Sequence, residues 1–496
     1  MKFTIGLLAS TVLATSAFAA TLEVAVDSSP SGLDPHVATA FSSFQVIDGT
    51  VYEGLTALSP ELEIVPSLAE DWEISDDKLT YTFTLREGVT FHDGSDMTAE
   101  DVVASMERVK AESTGSPLAS RLDAVEDIDA SDDRTIVLTL SEPSSPLLSS
   151  LSTIAIVPAE YRDDTETLQR ATIGTGPFKL IEWQPNVALR FEANPDYWEA
   201  DLPKLNGVNF NIVPEAATRQ VGLQGGQYHM LPHIDAPTAL QLQSQPNVEL
   251  AETLELAYSL IGMNVTKPPL DDPKVREAVN YAINRGDLVQ AALFGAGVPG
   301  GPLSPALDNF ALSVDQYACF GADMERAKTL LEEAGVSTPI QLELLVLPRD
   351  DTKAIAQVVQ QQLAAIGIEL TLDIPEIGKF VQDWRNSEFD MFVSLNSGTI
   401  EPDDYFYRTF RSGGSTNVFQ YANTDLDALL DRGRQETDAE ARKAVYEDVQ
   451  RTLACDGPAA FLTYGQLYTA TANDVSGYTI YPNRSLSSLK NVSLAE

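Results

Sequence analysis

Cysteine, histidine and basic side chains are scarce in this sequence, and each shortage removes a class of function. Only two cysteines, Cys319 and Cys455, and four histidines occur in 496 residues. No C-x-x-C pair and no H-E-x-x-H occurs, so the usual zinc signatures are missing, and with them the expectation of a metal site. The G-x-S-x-G elbow of serine hydrolases is missing too, so no catalytic residues and no cofactor are predicted. Lysine and arginine number 32 against 73 acidic residues, a formal net charge of −41 at pH 7. Such a field favours solubility and disfavours nucleic acid and anionic membrane surfaces as partners. Beyond the N-terminus no apolar run approaches the roughly 18 residues that span a bilayer.

A chain of 496 residues exceeds the size at which one core stops growing, and 44% hydrophobic residues suffice for at least two lobes. Lys2, the apolar run from Ile5 to Leu13 and the small-residue end Ala17-Phe18-Ala19 read as a secretory signal cleaved after Ala19. No cysteine lies near that cleavage point, which predicts a soluble periplasmic protein and not a lipoprotein. In that oxidising compartment the even cysteine count predicts a disulfide between Cys319 and Cys455, with two buried free thiols as the alternative.

Residues Ala69 to Gly94 carry the clearest local pattern. Leu79, Tyr81, Phe83 and Leu85 alternate with Thr80, Thr82, Thr84 and Arg86, the period of a half-buried strand. Trp72 and Ile74 precede it across the turn-forming run Ser75-Asp76-Asp77-Lys78, which predicts a hairpin. Thr98 followed by Asp101 is spaced as a capping box that opens a helix. Farther on, Ile340 to Leu347 and Ile368 to Ile374 are apolar strands around a helix stripe of Ile355, Val358, Val359, Leu363 and Ile366, a unit that implies a parallel pair. Ile173 to Lys179 is glycine-rich, but it lacks the Gly-Lys-Ser/Thr ending of a phosphate loop, and Pro177 removes a backbone donor.

The 69–94 stretch resembles the signature of the peptide and nickel class of extracytoplasmic solute-binding proteins, family 5, which feed ATP-driven importers. The resemblance extends through Leu33-Asp34-Pro35, Tyr52-Glu53-Gly54-Leu55, Gly174-Thr175-Gly176-Pro177-Phe178, Asn194-Pro195-Asp196-Tyr197-Trp198, Asp272-Pro273-Lys274-Val275-Arg276 and Asn280-Tyr281-Ala282-Ile283-Asn284-Arg285. It implies an α/β fold of the two-lobe periplasmic binding protein type (type II, cluster C) with an extra subdomain on the first lobe. Residues 20–257 and 473–496 would form lobe I, with the subdomain over about 41–172, and residues 258–472 lobe II. It further implies a monomer that closes on a small solute, a short or modified peptide first, and presents it to membrane permease subunits. Opine-like conjugates, oligosaccharides and metal chelates are the alternatives, with a hydrolase as the competing class.

Site residues follow from this frame. Ser28 and Ser29 end the first strand at the cleft, His233 follows a strand in an open α/β lobe, and Tyr258 lies at the first crossing between lobes. Arg349 and Asp350 end the strand Ile340 to Leu347. Peptide-binding members carry an aspartate for the peptide ammonium in the loop that begins at Asn396, and here Gly398 stands in its place, with Glu401 or Asp403 nearby as substitutes. Arg408 and Arg411 present guanidinium forks for a ligand carboxylate.

Overall fold

Two strands carry the chain between its lobes, and both are long enough to belong to each. The computed structural model describes residues 20–396 and 398–495, so the expected signal segment 1–19 and Ser397 lie outside the described residues. Val248–Met263 and Ala459–Ala472 run antiparallel, from the pair Val248 and Ala472 to the pair Gly262 and Ala459. The sequence of the first strand changes along its length. Its polar beginning is half-exposed, whereas Tyr258 to Met263 is buried throughout, as an interior strand with both faces covered must be. Pairing slips between Leu254 and Tyr258, so three residues of one strand oppose Gly465 of the other, a bulge placed where the lobes meet.

Among the described residues, eleven strands join one sheet through this pair. On the lobe II side lie Met391–Asn396, Ile340–Val346 and Ile368–Asp373, in that order outward. The last two are parallel and connected by helix Asp350–Ala364. On the lobe I side lie Met230–Ile234, Thr21–Val26, Gly207–Ile212, Ala188–Ala193 and Phe178–Gln184. The C-terminal segment returns to lobe I, where Leu486, Leu489 and Val492 enter its core.

The subdomain is a separate sheet of Ala69–Ile74, Thr80–Leu85, Thr135–Leu140 and Val125–Asp132, packed on helix Ala99–Lys110. Thr80–Leu85 alternates in burial as its sequence does, and both halves of the Thr98 capping box form. The family motifs meet at structural ties between this subdomain and lobe I. Arg108 grips Asp34 with both terminal nitrogens, at 3.0 and 2.6 Å, in a fully buried pair. Glu53 accepts hydrogen bonds from Thr175 Oγ1 at 2.8 Å, Tyr197 OH at 2.8 Å and Trp198 Nε1 at 3.0 Å, which brings three motifs to one carboxylate.

Lobe II is built around an aromatic cluster that includes Tyr405, Phe406, Phe410, Tyr446 and Phe461. Each such ring, fully buried, contributes roughly 1.5–3 kcal/mol. Cys319 is bonded to Cys455, with Cα atoms 5.6 Å apart, fastening the turn Ala318–Phe320 to the end of helix Ala439–Ala454.

Candidate functional site

Beside the bulge in the crossing strands, charged groups from both lobes gather. Glu255 projects from the bulge itself and pairs with Arg484 of the returning C-terminal segment. The Arg484 guanidinium lies 5.6 Å from the ring centre of Phe41, which stands edge-on to His233 at 5.3 Å. His233 holds the left-handed conformation at φ 55° and accepts a hydrogen bond at Nδ1 from the Gln45 amide, 3.0 Å away. Its proton therefore sits on Nε2, a buried donor with no partner among the described residues. Burial, reinforced by the Arg484 charge, pushes the imidazole down to about 3, so the ring is neutral at physiological pH.

From lobe II comes Arg349, at the start of helix Asp350–Ala364, held at 3.2 and 3.0 Å by the Asp351 carboxylate and 59% exposed. Hydrogen bonding to Asp351 raises its basicity, and the field of Glu255 adds to the effect. Gly398 closes the arrangement. It adopts φ 68°, and a Cβ at this position would sit 2.1 Å from the carbonyl oxygen of Leu256, so the loop rests its bare backbone on the strand residue next to Glu255. Asn396 turns that loop, its Oδ1 accepting the Gly398 N–H at 3.1 Å.

Of the residues expected from sequence, His233, Arg349, Asn396 and Gly398 are thus brought to one region. Ser28 and Ser29 instead shape the turn after the first strand: Ser28 donates to Asp27 at 2.8 Å, while Ser29 receives Ser42 Oγ at 3.0 Å and the Asn186 N–H at 3.2 Å. Five assignments need correction. Tyr258 is 2% exposed, packed against Tyr405, Phe461 and Tyr464 at ring distances of 5.4–5.9 Å, because the strand is already interior there. Asp403 is 1% exposed and spent on Arg434, which approaches to 2.7 Å. Glu401 is likewise spent, on Arg442. Asp350 points to solvent as a first-turn helix carboxylate, and Arg411 is taken up by Asp431 at 3.0 Å.

Sequence reasoning missed Phe41, Gln45, Glu255 and Arg484. Only the scarcity of basic residues marks Arg484, and nothing in the alternation of Val248 to Met263 singles out Glu255. A cavity of about 410 Å³ is lined by Asn483 and Ser485, the chain neighbours of Arg484, together with Tyr52, Arg86 and Trp198, all within lobe I and its subdomain. Among the described residues no group of three His, Cys, Asp or Glu side chains is gathered for a metal ion.

Residues 63–417 match the model of the bacterial extracellular solute-binding proteins, family 5. The chain is 30% identical to the glutathione-binding protein GsiB of Escherichia coli (strain K12), over 97% of this chain and 96% of that protein. It is 27% identical to the dipeptide-binding protein of the same strain, again over 97% and 96%. The substrate-binding protein CtaP of an ABC transporter from Listeria monocytogenes superposes with a TM-score of 0.88 at 25% identity, covering 97% of this chain and 100% of that one. The two-lobed α/β architecture and a match spanning well over half the sequence agree: the chain belongs to the bacterial extracellular solute-binding proteins of family 5.

Proposed function

We propose that this protein takes up a short or modified peptide between its lobes and passes it to the permease subunits of an ABC importer. The observation that carries this reading is the cluster at the crossing strands, where Arg484 and His233 of lobe I, Glu255 of the hinge and Arg349 of lobe II face a shared region. A ligand seated there contacts both lobes at once, so it binds the closed form better than the open one and shifts the equilibrium by that difference. The relatives named for dipeptides and glutathione support a ligand with peptide-like ends. No helix of the described residues is long and apolar enough to cross a membrane. On the proposed reading the chain is released into the periplasm after cleavage at Ala19 and works as a monomer without a catalytic step.

Native mass spectrometry of the protein purified from its own host, followed by release and fragmentation of what co-purifies, tests the proposal. A set of masses differing by amino-acid residues is the expected result. One discrete mass with no amino-acid fragments would remove the peptide assignment.

A further inference from the structure

We propose that Glu255 sets the class of solute, accepting the ammonium group of a zwitterionic ligand while Arg484, released from it, turns with Arg349 to the ligand's carboxylate. The inference rests on the peptide reading and specifies what that reading leaves open, the group that takes the positive end.

Three carboxylates flank the junction of the Gly398 loop and the crossing strand: Glu255, Glu401 and Asp403. Two are already committed. The Glu401 and Asp403 side chains are 7% and 1% exposed, and each is locked to an arginine of lobe II. Glu255 keeps 19% of its side chain exposed, and its partner Arg484 keeps 36%. The loop itself brings no charge, because the space a Cβ would need at Gly398 is filled by the Leu256 carbonyl. An acid beside the ligand therefore comes from the strand and not from the loop.

The Glu255–Arg484 pair is a placeholder of the right composition. A zwitterion inserted between the two replaces one ion pair by two and leaves the charge of the cluster unchanged, so neither side chain is stranded when closure removes water. The unpartnered Nε2–H of His233 supplies a neutral donor to the same region, suited to a ligand carbonyl or carboxylate. Ser304 Oγ donates to the Glu255 backbone carbonyl at 2.7 Å, which fixes the bulge that presents the carboxylate.

The test uses a partial casein hydrolysate of di- to pentapeptides, with its amines free or acetylated, incubated with ligand-stripped protein and read by native mass spectrometry. Wild-type protein is expected to retain free-amine peptides at least tenfold better than acetylated ones, a preference on the scale of a charge-assisted hydrogen bond. Glu255→Gln is expected to lose that preference by weakening on the free-amine pool, with its melting temperature serving as the control for folding. Equal retention of both pools by wild-type protein would overturn the proposal without recourse to any variant, as would undiminished retention of the free-amine pool by a folded Glu255→Gln. Either result leaves the peptide reading standing. Retention of neither pool by wild-type protein would remove that reading and the role of Glu255 together.

Discussion

Single residues decide how the acidic surplus of this chain is used. Gly398 is the sharpest case, because placing there the aspartate that the family resemblance leads one to expect meets a wall. With φ at 68° and the Leu256 carbonyl oxygen 2.1 Å from the Cβ position, Gly398→Asp must move either the loop or the crossing strand. The expected outcome is a loss of at least about 1–3 kcal/mol, read as a lower urea midpoint, with no gain in peptide affinity. An unchanged midpoint would show that the loop has room for a side chain. The Asp403–Arg434 pair supplies a second test. Its carboxylate is 1% exposed, so Arg434→Met leaves a buried charge without its counter-charge, met among the described residues only by the Tyr446 hydroxyl at 3.5 Å. A destabilisation of roughly 3–5 kcal/mol is expected in urea unfolding, and an effect below about 1 kcal/mol would mean that water reaches Asp403.

At the scale of elements, the disulfide joins two pieces that the fold brings together from 136 residues apart. Closing so long a loop in the unfolded chain stabilises by up to about 5 kcal/mol in the chain-entropy view. Replacing both cysteines by serine is expected to lower stability by roughly 2–5 kcal/mol and to leave peptide retention intact, since the bond lies away from the Glu255 cluster. Equal unfolding midpoints for the two proteins would argue against a formed bond. Elements with strong periodicity were legible in sequence: the hairpin at Ala69–Ile74 and Thr80–Leu85, the capping box at Thr98 and the parallel pair Ile340–Val346 and Ile368–Asp373. The site was legible only in part. His233, Arg349 and Gly398 stand at strand ends or loop turns, places where an α/β sheet exposes side chains. Tyr258 was misplaced because an aromatic residue at a crossing can point into the lobe II core as readily as toward the cleft. Glu255 and Arg484 stayed hidden because they meet across 229 residues of chain, and only the bulge between Leu254 and Tyr258 turns the glutamate toward its partner.

For the whole molecule, acid is the condition that tests the packing between lobe I and its subdomain. Three of the four histidines are held neutral: desolvation of the ring pushes His36 and His92 down to about 4, and His233 to about 3. For such a group the folded value lies below the unfolded one, near 6.5. Between the two the unfolded chain takes up a proton that the folded chain refuses. Stability is therefore fully present above about pH 6.5 and drains as pH falls toward 4. Asp48 and Glu53 act in the opposite sense, because burial raises their values and acid relieves the cost of ionising them. A single melting curve mixes these contributions, whereas a comparison between variants isolates one. His92 is the suitable position. Its Nε2 donates to the Gly176 carbonyl at 2.9 Å, a bond that the amide of His92→Gln can reproduce without a titrating group. Between pH 7 and pH 5 wild-type protein is expected to lose about 2 kcal/mol more of unfolding free energy than His92→Gln, measured by urea denaturation at fixed ionic strength. Parallel losses in the two proteins would mean that His92 is protonated in the folded state and that the joint it seals admits water.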